Sequence, residues 1–65
     1  MFIKTTTVGD EQQVIINAKQ IVNILDNSID QPNTTIVYVG ATRHPLYVNI
    51  AIDNLALLLG AMDHH

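Results

Sequence analysis

Leu46-Tyr47-Val48-Asn49-Ile50, followed by Ala51-Ile52-Asp53-Asn54-Leu55-Ala56-Leu57-Leu58-Leu59-Gly60-Ala61-Met62, is where the apolar period of this chain changes. Up to Ile50 apolar residues alternate, as on a strand with one covered face. From Ala51 onward Ile52, Leu55, Ala56 and Leu59 recur at i, i+3, i+4 and i+7, and Leu58 and Met62 widen that helical face. Asn49 or Asp53 is placed to cap the helix, and Gly60 to interrupt or close it. Across residues 50–62 only Asp53 and Asn54 are polar. A helix apolar on nearly all sides needs cover on more than one of them. A sheet covers one side, leaving Leu57, Ala61 and their neighbours for another chain.

Working outward, Thr34 to Val39 reads as the clearest strand, and residues 40–44 turn the chain toward the return strand Leu46 to Ile50. Pro45 has no N–H for a ladder and suits the first residue of that strand or a sheet edge. Phe2 to Val8 and Gln12 to Ile16 form an earlier pair around Gly9-Asp10-Glu11, with glycine where a hairpin turn needs positive φ. Asn27 to Asn33 is dense in turn residues and is barred from regular helix by Pro32. Ala18 to Asn27 carries two signals. Ala18, Ile21, Val22 and Leu25 keep helical spacing behind an Asn17 and Gln20 capping pair, yet most of these side chains are β-branched and favour a turn followed by a strand. The expected fold is therefore a single α+β domain over residues 1–65. It has a small antiparallel sheet built from two β-hairpins, a C-terminal helix and, on the first reading of the ambiguous segment, a second short helix at about 18–26. The two halves also echo each other weakly as hairpin-then-helix units, a pattern that two generic hairpins produce by chance.

Sixty-five residues bury only about 60% of the surface the unfolded chain exposes, so the core is small. Domains of this size usually add disulfides, a structural metal or an oligomeric partner. The chain has no cysteine, which excludes disulfides and thiolate zinc sites and leaves oligomerisation. Composition points the same way: 48% of residues are apolar and 14% charged, against roughly 25% charged in ordinary soluble domains. Mean hydropathy is +0.22. The net charge is −3, with Lys4, Lys19 and Arg43 scattered among six carboxylates. No basic stripe exists to neutralise phosphates or hold an anionic membrane surface, so neither nucleic acid nor membrane is expected as a partner. The first residues lack the pattern of a secretion signal, and the longest apolar stretch, about 13 residues, falls short of the roughly 20 that span a bilayer. A cytoplasmic location is the expectation.

Candidates for chemistry are few. Asp10, Glu11, Asp26, Asp30, Asp53 and Asp63 fall mostly in turns or at a helix start, where carboxylates serve as caps, turn formers and solubilising charges. No nucleophile stands beside a base, so no catalytic residue is expected. The glycines are isolated and form no phosphate loop, and His44, His64 and His65 lack zinc-site spacing, so no metal or cofactor is expected. Asn33-Thr34-Thr35 matches a glycosylation triplet without an accompanying secretion signal. Tyr38 and Tyr47 fall on facing strands of the second hairpin, either as a cross-strand pair or as part of a contact patch. Arg43 and His44 sit at its tip.

Phe2-Ile3-Lys4, Val14-Ile15-Ile16-Asn17-Ala18 with Ile21 and Ile24, Thr35-Ile36-Val37-Tyr38-Val39-Gly40, Leu46-Tyr47-Val48 and the terminal apolar helix together resemble the FlbD-type small proteins of flagellar operons. The likeness covers most of the chain and is one of hydrophobic pattern. This chain has a more apolar final helix and a longer central loop. The opening Met1-Phe2-Ile3-Lys4-Thr5-Thr6-Thr7-Val8-Gly9-Asp10-Glu11 is similar to that of carbon storage regulators, which are interlocked β-rich dimers that bind RNA. Those proteins carry arginines where Thr6 and Thr7 stand, so this likeness implies exchanged strands more than RNA binding.

The functional expectation is a non-enzymatic, homo-oligomeric interaction module of bacterial or phage type, a dimer or larger, held by Leu55, Leu57, Leu58 and Met62 of the final helix. The alternatives are a small inhibitor of the kind mobile elements encode, or a decoy for a small ligand, either acting on another protein or ligand through Arg43, His44, Tyr38 and Tyr47. An RNA binder resembling the carbon storage regulators is the remaining alternative.

Overall fold

The computed structural model describes the backbone of residues 1–40 and 44–63 and the side chains of residues 1–40 and 44–60. Five strands and one helix follow in order: β1 (Phe2–Thr6), β2 (Gln13–Asn17), β3 (Ile21–Asp26), β4 (Thr35–Val39), β5 (Leu46–Val48) and α1 (Ile52–Asp63). The expected α+β fold is observed, with the strands divided between two antiparallel sheets: a hairpin of β1 and β2, and a three-stranded sheet in the order β3-β4-β5.

In the first hairpin Ile3 lies opposite Ile16 and Thr5 opposite Val14. One face thus carries the apolar residues that turn inward. Its turn works as the sequence suggests, with Gly9 at φ 96°, a conformation that side chains resist. Glu11 also takes positive φ, and the Thr7 and Glu11 N–H groups close the turn on the Gln12 and Thr7 carbonyls at 2.9 and 3.0 Å.

The two sheets meet at one ladder step, Thr7 opposite Val48. There the Val8 N–H donates to the Tyr47 carbonyl at 2.8 Å and the Asn49 N–H to the Thr6 carbonyl at 2.9 Å. The order β2-β1-β5-β4-β3 therefore runs almost without interruption, leaving β2 and β3 as the outer strands.

Residues 18–26 follow the second of the two readings. Ala18–Gln20 makes a single 3-10 turn, capped by the Asn17 side chain accepting from the Lys19 N–H at 3.1 Å, and Ile21–Asp26 is a strand. Isoleucine and valine stiffen the segment against a helix, and pairing with β4 supplies the ladder that a short isolated helix lacks. The weak internal repeat is not a structural one, since the first hairpin leads into a strand and the second into α1. Gly60 does not end the helix, which continues to Asp63.

Register places Ile24, Val37 and Leu46 in one row on the inner face of the three-stranded sheet, with Thr35 and Val48 beside them. Against this face pack β1, β2 and α1. Ile3, Ile16, Ala18, Val37, Val48 and Leu55 are closed off from solvent, and Val14, Ile21, Ile24, Val39, Leu46, Ile50 and Leu59 surround them. Leu55→Ala should cost about 2–5 kcal/mol of unfolding free energy. Gly60→Ala, on an exposed helix position with open space around a new Cβ, should gain about 0.5–1 kcal/mol. Denaturant titration of the two variants checks both signs.

Candidate functional site

The start of α1 is pinned to the sheet by backbone and side-chain hydrogen bonds. The Ala51 carbonyl accepts from the Leu55 N–H at 3.0 Å, which makes Ala51 the cap position. Asp53 lies in the first turn. Asn49 does not cap the helix. Its Nδ2 donates to Thr6 Oγ1 at 2.9 Å and to the Thr7 carbonyl at 3.0 Å, tying the β5–α1 connection to β1. The Thr35 hydroxyl donates to the Ile50 carbonyl at 2.6 Å, satisfying a group that no strand partner reaches.

Beyond these anchors α1 is held chiefly by Leu55 and Leu59, one turn apart on its inward stripe. This corrects one expected contact residue. Leu55 is 1% exposed and belongs to the core, so it is not available to a second chain. Leu57, about 200° around the helix from Leu55, is 73% exposed, and Leu58, on the flank, is 41% exposed. Ala56 is exposed as well. The Met62 side chain lies outside the described residues. The outward surface of α1 thus joins Ala56, Leu57 and Leu58, with the exposed Asp53 one turn before Leu57 on the same side.

The outer face of the three-stranded sheet is a second apolar surface. Leu25, Ile36 and Tyr47 stand in one cross-strand row, and Tyr38 shares their face, paired with Asn23. Tyr38 and Tyr47 are not directly opposite. Tyr47 faces Ile36, so the tyrosines stand on a diagonal and not as a directly opposed pair. Leu25 and Tyr47 are exposed, while Ile36 and Tyr38 are half-buried. Of the expected hairpin-tip contacts, His44 is exposed and Arg43 lies outside the described residues. Phe2 and Ile15 are exposed on the outer face of the first hairpin, on either side of Lys4.

The clefts lined by described residues include two. One of about 290 Å³ is lined by Ile15, Ile16, Asn17, Gln20, Val39 and Leu46, between β2 and the three-stranded sheet. The other, of about 210 Å³, lies at the helix start and includes Asp26 and Asp53. Asp26 is held locally, its carboxylate accepting from the Ser28 N–H and hydroxyl, each at 2.9 Å. Among the described residues no three of His, Cys, Asp and Glu gather as a metal-holding group.

The sequence reading missed the buried polar residues. Asn27, Thr34 and Thr35 are shielded from water. Asn27 Nδ2 donates to Thr34 Oγ1 at 3.0 Å, and the Thr34 hydroxyl donates to the Gln31 carbonyl at 2.7 Å, closing the 27–34 loop from inside. The available signal was the placing of Asn27 and Thr34 at the two ends of a turn-rich segment, which is where a polar pair closes a loop.

No protein family model matches this chain, and neither a curated protein nor a solved structure matches it. No helix among the described residues is long and apolar enough to cross a membrane.

Among the described residues Asp10 carries the one titration effect with a clear cause. The Thr7 hydroxyl donates to its carboxylate, and this bond, helped by backbone N–H groups and opposed by slight desolvation, holds the carboxyl below its ordinary value of 3.8. A folded-state value lowered in this way adds stability above the unfolded-state value, and the contribution disappears as pH falls through the folded one. Asp10→Asn should therefore reduce stability at neutral pH and flatten its loss on acidification. Urea titrations at a series of pH values between neutral and strongly acidic check this.

Proposed function

We propose that this protein is a non-enzymatic interaction module that associates with copies of itself through the outward surface of α1. The observation that carries the reading is the exposure of Leu57 and Leu58 on a helix whose inward stripe is already spent on the core. The chain's total exposed surface supports it. At 7.2 kDa a folded monomer exposes about 4,100 Å², and this chain exposes 4643 Å². The excess of about 500 Å² is more than half of the roughly 800 Å² each partner contributes to a standard interface. Cysteine is absent, so no disulfide offsets the small core. A cytoplasmic setting in a bacterium or phage suits a chain with this composition. The FlbD-type resemblance would place such a module in a flagellar operon, and the sequence pattern is its support.

A second reading, a small inhibitor that docks on another protein, draws on the Leu25, Ile36 and Tyr47 row. That face is apolar, lies away from α1 and remains free in an α1-mediated dimer.

Light scattering at micromolar concentration should give a dimer or larger species, and Leu58→Lys should shift it to monomer by burying an unpaired charge in the contact. A monomeric native protein with a folded spectrum would overturn the first reading. A dimer unaffected by Leu57→Lys and Leu58→Lys would move the contact away from α1.

A further inference from the structure

Among the described residues the β3 edge is open. β3 pairs only with β4 among the described residues, and the pairing fixes which backbone groups it uses. The Asn27 N–H donates to the Thr34 carbonyl at 3.1 Å. Alternation along an antiparallel ladder then turns Leu25 and Asn23 toward Ile36 and Tyr38 of β4, and turns the N–H and C=O groups of Ile24 and Asp26 away from it. On the far side of β4 the same alternation holds, with Val37 and Thr35 facing Leu46 and Val48.

Edge strands usually carry a guard such as lysine, proline or an inward-pointing charge. β3 has neither Lys nor Pro, its one charge is Asp26 at the end, and Val22 is 70% exposed. A bulge between Ile21 and Asn23 disturbs the start of the strand and leaves Asn23–Asp26 regular. The other outer strand, β2, borders the 290 Å³ cleft, whereas β3 has α1 packed against it.

We propose that β3 pairs antiparallel with β3 of a second copy, about a two-fold axis at Ile24, so that two three-stranded sheets join into one of six strands. The inference rests on the self-association reading and names its geometry. An axis at Ile24 places it opposite the partner's Ile24, exchanging both outward hydrogen bonds, with Asn23 opposite the partner's Leu25 and Val22 opposite the partner's Asp26. The two Asp26 carboxylates then lie at opposite ends of the seam, so like charges do not meet. The axis is normal to the sheet, which keeps both α1 helices on the same face, and each α1 packs against the β3 strand of its own chain. Edge pairing and helix contact then draw on the same surface, the 4643 Å² of this chain against the roughly 4,100 Å² of a monomer of its mass.

A chain of this length is accessible to chemical synthesis, which permits a single backbone change. N-methylation of the Ile24 amide removes the outward N–H and blocks a neighbouring strand while leaving the side chain intact. Sedimentation velocity should show the dimer weakened at least tenfold, with an unchanged circular dichroism spectrum. In the unmodified protein the Ile24 and Asp26 amides should exchange slowly at high concentration and quickly on dilution to monomer. Unfolding of the N-methylated chain would overturn the proposal by showing that the amide serves the monomer's own structure. A dimer that persists with the Ile24 amide methylated would overturn strand pairing while leaving the α1 reading intact. A native protein that stays monomeric at all concentrations would overturn both, and protection of Ile24 only on addition of a different protein would overturn the choice of a second copy.

Discussion

Leu55 shares one closed-off core with Val37 and Val48 of the three-stranded sheet and with Ile3 and Ile16 of the first hairpin, and it is the residue that brings α1 into that core. At 1% exposure it is one of six closed-off apolar side chains among the described residues. With so few residues inside, burial cannot be shared among many contacts, and the placing of this leucine decides where the helix sits. The bonds from Asn49 to Thr6 and from Thr35 to Ile50 act with it, because they fix the point from which α1 leaves the sheet. Without the Thr35 hydroxyl the Ile50 carbonyl, just before the helix, would lose its donor.

The same economy produces the apolar surface. A helix with a leucine at four of five consecutive positions, Leu55 and Leu57 to Leu59, can turn only one stripe toward a five-stranded core. Leu57 and Leu58 are left outside as a geometric consequence of Leu55 and Leu59 going in. The sheet repeats the pattern: inward placement of Ile24, Val37 and Leu46 forces Leu25, Ile36 and Tyr47 outward, since strand side chains alternate. Only a few charged residues interrupt these surfaces, which is why the low charge content of the sequence has structural meaning.

Much of this was legible in the sequence. Both hairpins, the Gly9 turn, the 27–33 loop and the final helix follow from local chemistry: β-branched runs, turn residues and a change of period. Residues 18–26 were not decided locally, because Ile21, Val22 and Leu25 fit both a helical stripe and a half-covered strand, and pairing with β4 selects the strand. For Leu55 the periodicity located the inward face, but composition alone gave no ranking between Leu55 and Leu57 as a contact residue. Packing supplied that ranking. The polar closure by Asn27 and Thr34 and the long-range bond from Asn49 to Thr6 were hidden because their partners are set by tertiary structure. Arg43, Met62 and the terminal histidines belong to parts of the chain outside the described side chains.

We propose that a core this small leaves the folded chain dependent on association with its own kind. Ligation that favours the folded state by mass action makes thermal stability depend on protein concentration. The most direct measurement is the unfolding midpoint followed over about a hundredfold range of concentration. A chain stabilised by self-association should show a midpoint that climbs steadily with concentration. A midpoint that stays constant across that range, with a cooperative transition throughout, would contradict it.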